Sequence, residues 1–224
     1  MKHVFTSAKV AFVLALCALM SCQEEKDKAS KEIVSPTNPK AVVDSLMEGD
    51  ILFQISTSGQ GKAIQLATHS QYSHCGILFK EKNKWMVFEG VQPVKSTPLA
   101  KWIDRGENNH YVIKRYKKAM ELLTPEVKSN MKTEAKKFIG KNYDLTFEWS
   151  DDRIYCSELV YKIYNRGAGI SIGTLQELQD FDLSHPIVLQ KLKERYGNKI
   201  PLHETVISPG AIFNDTSLIE VLNE

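Results

Sequence analysis

Apolar residues in this chain fall in short runs separated by polar and charged turns, and the spacing within each run predicts an element. Residues 41–46 read as a short helix, Glu48-Gly49-Asp50 as a turn, and residues 51–55 as a strand rich in β-branched and aromatic side chains. A Ser/Gly loop over residues 56–61 leads to a short helix over 62–68, with Ala63, Ile64 and Ala67 on one side. Residues 73–79 and 85–91 are apolar runs joined by Lys80-Glu81-Lys82-Asn83, the pattern of a hairpin. A short helix is predicted over 98–103 and a strand over 111–116. Thr124-Pro125 is a helix start, with Thr as N-cap and Pro in the first turn, and the helix should run to Ile139 and stop at Gly140. A loop rich in Asp and aromatic residues leads to Ile154. A second long helix follows, apolar at Leu159, Val160, Ile163 and Tyr164 and ended by residues 165–169. A third, more exposed helix is predicted over 187–196, and from Ile200 loops and a strand should cover the domain. The sum is an α+β chain with an antiparallel sheet, without internal repeat, Walker loop or Gly-rich dinucleotide signature.

The first 40 residues follow another pattern. Lys2 and Lys9 flank a short basic region, and residues 10–20 are an unbroken run of apolar and small residues. That run has the length of a signal-peptide core and is short for a spanning helix. It ends in Leu19-Met20-Ser21-Cys22, which resembles a bacterial lipobox whose Cys becomes the lipidated mature N-terminus. Residues 1–21 are therefore expected to be a lipoprotein signal, residues 22–40 a flexible tether, and residues 41–224 the folded domain. The expected address is the cell envelope, with lipid on Cys22 holding the chain to a membrane, in the first place the outer membrane. The acidic start Cys22-Gln23-Glu24-Glu25 resembles the export signal of some bacterial surface lipoproteins.

Composition narrows the class. Of 224 residues, 42% are hydrophobic and 25% charged, the balance of a globular protein rather than a disordered one. Loss of residues 1–21 takes two of the 29 Lys and Arg and none of the 27 Asp and Glu, which leaves 27 of each. No basic block stands out, so nucleic acid is not an expected partner. Four cysteines do not make a disulfide scaffold, and only Cys75 and Cys156 fall in the predicted domain. No Cys/His pair has the spacing of a structural zinc site, and no metal is expected. His69, His110, His185 and His203 read as loop or surface residues.

One cysteine, one histidine and one carboxylate carry candidate chemistry. Cys156 opens the second long helix. A helix N-terminus offers free N–H groups and partial positive charge, which favour thiolate over thiol and can receive an oxyanion. His74 lies on the first strand of the hairpin and Glu89 on the second. With Lys80 to Asn83 as a four-residue loop, Phe79 faces Lys84 and His74 comes directly opposite Glu89. Such a pair has Cβ atoms roughly 4.5–5.5 Å apart, close enough for the carboxylate to orient the imidazole. Cys75 should point to the other face, into the core.

Four segments occur together: Gly49-Asp50-Ile51-Leu52-Phe53, Tyr72-Ser73-His74-Cys75-Gly76-Ile77, Phe88-Glu89-Gly90 and Asp152 through Val160. In this order they resemble the circularly permuted papain-like enzymes of the NlpC/P60 superfamily, the YiiX/YaeF-like group, in which the His strand precedes the Cys helix. The resemblance covers about residues 46–167. It implies a circularly permuted papain-like fold, an antiparallel sheet packed against the helix bearing the Cys. It also implies that Cys156 is the nucleophile, His74 the general base and Glu89 the residue that orients His74. Tyr143, ahead of the Cys helix, is expected near the cleft as a substrate-binding residue. The implied activity is a cysteine peptidase or amidase working through an acyl-thioester on small amide substrates such as peptidoglycan fragments, with no cofactor. A second reading keeps the triad for lipid acyl transfer or phospholipid cleavage, as in other permuted members. A third is an envelope binding module without catalysis.

Overall fold

The computed structural model describes residues 45–224. The proposed signal, the lipidation site Cys22, the tether and most of the helix predicted at 41–46 lie outside the described residues.

Six strands form one antiparallel sheet in the order β4-β3-β2-β1-β5-β8. They are β1 (Ile51–Ser56), β2 (His74–Glu81), β3 (Lys84–Glu89), β4 (Lys95–Pro98), β5 (Gly106–Tyr116) and β8 (Leu218–Asn223). Two short strands, β6 (Gln176–Glu177) and β7 (Thr205–Val206), pair separately. The helices are α1 (Gly59–Thr68), α2 (Leu99–Ile103), α3 (Ala119–Leu122), α4 (Pro125–Lys136), α5 (Cys156–Ala168), α6 (Pro186–Tyr196) and α7 (Pro209–Phe213).

Both faces of the central strands are covered, which is why Ile51, Leu52 and Phe53 are all buried without alternation. On one face Phe53, Ile77, Phe79 and Val112 pack against Leu159, Val160, Ile163 and Tyr164 of α5 and Met131 of α4. On the other, Leu52, Leu78, Val87 and Ile113 pack against Trp102 of α2.

Caps settle the helix boundaries. Thr124 Oγ1 accepts from the Val127 amide at 3.2 Å, the N-cap its sequence predicts. The helix ends at Lys136 rather than Ile139, and the chain then turns through Phe138 to Gly140, which has φ of 81°. Ser58 Oγ accepts from the Gly61 amide at 3.0 Å, so α1 starts at Gly59, three residues before the predicted point. Gly169 closes α5 in the left-handed conformation.

The hairpin differs from its predicted register. Its turn has only Lys82 and Asn83 at the tip, both with positive φ, so the strands extend to Glu81 and Lys84. Phe79 pairs with Met86, a shift of two residues from the predicted partner Lys84. A shift of two preserves the face of every side chain, whereas a shift of one would have parted His74 from Glu89.

Candidate active site

Glu89 ends β3 and His74 begins β2. The two are diagonal neighbours across the pair rather than directly opposite, because the observed register sets Ile77 against Phe88. The bond forms all the same: His74 Nε2 and Glu89 Oε2 are 2.7 Å apart in a buried setting. Gly76 makes room for it, since a Cβ there would meet Val87 Cγ1 at 2.4 Å and Glu89 Cβ at 3.5 Å.

Glu89 is fully buried and fully partnered. Thr97 Oγ1 donates to Oε1 at 2.6 Å, and Arg105 Nη2 donates to Oε2 at 2.5 Å. Burial alone would raise its pKa, but the bonds and charge of His74, with Thr97 and Arg105, hold it down at about 2. The carboxylate is therefore ionised across the physiological range. The His74 ring also stacks on Trp102, with centroids 6.0 Å apart and planes 28° apart.

Cys156 is the first residue of α5 and is buried. Gly90, just past β3, lies against the backbone there: a Cβ on it would sit 2.7 Å from the Cys156 nitrogen. This close approach seats the start of α5 beside the His74–Glu89 pair. From the other side, Ser157 Oγ donates to the Ile207 carbonyl at 2.7 Å, and the Ile207 amide donates to Tyr155 Oη at 3.1 Å.

The Cys156 thiol interacts with both His74 and Cys75. With Nε2 committed to Glu89, Nδ1 is the ring nitrogen left for the thiol. Hydrogen bonding from the Cys75 thiol draws the Cys156 pKa well below the ordinary thiol range, against its burial. The bond and charge of His74 and the Cys75 amide act in the same direction. On His74, burial lowers the pKa, but Cys156 and Glu89 outweigh it and push the value up to about 9. At neutral pH the favoured state is a thiolate beside an imidazolium. Cys75 shows the opposite shift: burial, then its hydrogen bond to Cys156 and the charge there, drives its thiol pKa up, so it stays protonated and can donate. Cys75 enters the core as predicted, and the face it enters is the one on which α5 packs.

The loop before α5 is built rather than slack. Asp144 is buried and accepts from the Thr146 and Glu148 amides at 2.8 and 2.7 Å. Gln92 Oε1 accepts from the Tyr143 amide at 2.6 Å, and Asp144 N donates to the Ile154 carbonyl at 3.3 Å. These bonds bring the Tyr143 hydroxyl to Cys156. It accepts from Gln60 Nε2 at 2.9 Å, which leaves its own O–H to donate toward the sulfur. Tyr143 thus stands in the cleft beside Cys156.

The structure brings Cys156, His74, Glu89 and Tyr143 together. Sequence reasoning missed Thr97, Arg105, Gln60 and the part played by Cys75. Thr97 lies on β4, a four-residue strand with too little alternation to be read. Arg105 and Gln60 sit at a turn and a helix start far from the motifs, and no local spacing pointed to either. The five-residue gap between His69 and His74 forms no metal pair; His69 Nε2 instead faces Asp182 at 3.4 Å. Among the described residues no group of three or more His, Cys, Asp or Glu is arranged to hold a metal ion.

A strand-borne His and its carboxylate, followed in the chain by a helix that begins with a cysteine, define a thiol amidase of permuted papain-like fold. The chain belongs to the family described as permuted papain-like amidase enzyme, YaeF/YiiX, C92, whose model matches residues 45–221. It is a cysteine peptidase/amidase family. The chain is 51% identical over 176 residues to the uncharacterized protein YiiX of Escherichia coli strain K12, covering 79% of this chain and 86% of that one. It is also similar to a crystal structure of YiiX from Escherichia coli O157:H7, described as a metalloprotein. That match has 51% identity and a TM-score of 0.77, covering 80% of this chain and 98% of the other.

Proposed function

We propose that this chain hydrolyses amide bonds through a thioester on Cys156. The observation that carries the reading is the buried His74–Glu89 bond of 2.7 Å beside a thiol that both His74 and Cys75 favour as thiolate. The thiolate attacks the amide carbonyl, and the imidazolium of His74 protonates the departing amine. His74 then takes a proton from water, which opens the thioester. Glu89, held by Thr97 and Arg105, keeps the ring oriented and stabilises its charge. The Cys156 backbone N–H at the start of α5 and the Tyr143 hydroxyl are the donors placed to receive the oxyanion.

Amide-linked compounds of the cell envelope, cell-wall peptides among them, are the substrate class. What supports this is the family's amidase chemistry together with the signal pattern and the lipobox around Cys22, the proposed anchor. The test is incubation of the purified full chain with muropeptides and with acylated amines, followed by mass spectrometry, with Cys156→Ala as control. A product formed by the parent chain and absent with the variant supports the mechanism. Undiminished cleavage by Cys156→Ala overturns it.

A further inference from the structure

The two cysteines of the described residues meet in the core. Cys75, the second residue of β2, pairs with Phe53 of β1 and has no exposed surface. Cys156 opens α5, and both belong to the cluster in which Ile77 and Phe79 of β2 pack against Leu159 and Ile163 of α5. Neither is in a disulfide. The two thiols are hydrogen-bonded to each other, and the Cys75 amide also donates to the Cys156 sulfur. Strand and helix are each held by packing on the same core, so the sulfurs stay within reach of one another. Packing alone is met by any small apolar side chain at position 75; a thiol there adds a second redox-active sulfur.

The two sulfurs differ in what can reach them. Cys156 borders a cavity of about 680 Å³ between α1 and α6, walled by Ile64, Ala67, Val188 and Leu192. A small uncharged reagent in that space meets the Cys156 sulfur. Cys75 is not among the lining residues. Oxidants attack thiolate rather than thiol, and thiolate is the form favoured at Cys156, while Cys75 stays protonated. An attacked sulfur with a second thiol poised beside it is the arrangement of a reversible redox pair.

We propose that Cys156 is a site of reversible oxidation by small hydroperoxides, with Cys75 as the resolving thiol that captures the oxidised sulfur in a Cys75–Cys156 disulfide. The disulfide withdraws the thiolate that amide hydrolysis needs and returns it on reduction. It also keeps Cys156 from the sulfinic acid, a state that thiols do not reverse. Held against its partner, Cys75 reacts at an effective concentration far above that of any dissolved peroxide, so capture outruns a second oxidation.

The steps balance with one hydroperoxide as oxidant. The Cys156 thiolate attacks the terminal oxygen of the peroxide and the O–O bond breaks. Cys156 becomes a sulfenic acid, losing two electrons. The departing alkoxide, or hydroxide from hydrogen peroxide, takes the proton of the His74 imidazolium. The Cys75 sulfur then bonds to the Cys156 sulfur, the S–O bond breaks, and the Cys75 proton leaves with the hydroxyl as water. A dithiol reductant restores both thiols by exchange through a mixed disulfide.

The test treats the reduced, purified full chain with a small excess of hydrogen peroxide at neutral pH and maps its peptides without reduction, which separates this link from any at Cys17 or Cys22. The expected product is a linked pair of peptides bearing Cys75 and Cys156, about 2 Da lighter than the two reduced peptides together. Alkylation of Cys156 by iodoacetamide should fall at least about tenfold and return after dithiothreitol. Cys75→Ser keeps a donor beside Cys156 but removes the resolving sulfur. In that variant Cys156 should go on to the sulfinic acid, heavier by about 32 Da, and dithiothreitol should not restore its alkylation. Cys75→Ala gives the same readout if the Ser variant does not fold. A parent chain without the Cys75–Cys156 link, or a Cys75→Ser chain that recovers as fully as the parent, overturns the inference. These readouts use no substrate, so the amide hydrolase reading stands or falls separately, on cleavage.

Discussion

At the scale of single residues, Glu89 governs the proton inventory of the site. Its pKa is held at about 2, so its negative charge is present at every working pH and, together with Cys156, raises His74 to about 9. In the proposed mechanism the reactive form is thiolate with imidazolium. As pH climbs through about 9 the imidazolium is lost, and with it the acid for the leaving amine, so kcat/KM should fall on an alkaline limb near pH 9. Because folding also raises this pKa, the stability His74 contributes is complete below about pH 6.5 and is lost as pH rises through about 9. Glu89→Gln removes the charge that raises His74 and keeps the shape. Its alkaline limb should move at least one pH unit lower, and kcat/KM at pH 8 should drop roughly 100-fold, read from a pH–rate profile. Cys156, His74 and Glu89 were legible because each sits in a local pattern, a helix start or a strand pair. Thr97 and Arg105 were not, since they reach Glu89 from 8 and 16 positions away through contacts that no local period encodes.

At the scale of elements, the site depends on how closely the end of β3 meets the start of α5. Gly90 is the point of contact, with the Tyr155 carbonyl carbon 2.8 Å and the Cys156 nitrogen 2.7 Å from where a Cβ would stand. Backbone cannot yield as a side-chain tip can. Gly90→Ala should cost about 1–3 kcal/mol in stability, measured by denaturant unfolding. It should also slow Cys156 alkylation at neutral pH by about tenfold or more, because the thiol is moved off His74. The hairpin shows how an element can be read correctly while its register is not. Alternation placed His74 and Glu89 on one face, and that parity survived the two-residue slip. The turn length depended on Lys82 and Asn83 accepting positive φ, a choice that a polar run of four leaves open.

At the scale of the whole molecule, the segment after Lys199 completes the site without supplying any of its proposed catalytic side chains. Ile207 holds Ser157 and Tyr155 at the start of α5. Strand β8 adds an edge to β5, and Leu218 and Leu222 are buried there. A chain stopped after Lys199 keeps Cys156, His74, Glu89 and Tyr143. It should nevertheless lose cooperative thermal unfolding, and Cys156 should alkylate no faster than an ordinary thiol at pH 7, both measured beside the full chain.

What the sequence determined by itself was local and periodic. The α+β class, the antiparallel hairpin, the capped helices and the order of His strand before Cys helix all follow from spacing, branching and cap chemistry within a dozen residues. Only the tertiary structure decided the rest. It set the hairpin register, brought Cys75 against Cys156, closed Arg105 and Thr97 on Glu89, and opened an apolar cavity between α1 and α6. Each of these joins residues distant in the chain, and their energies come from packing, desolvation and charge pairing that exist only once the layers have met.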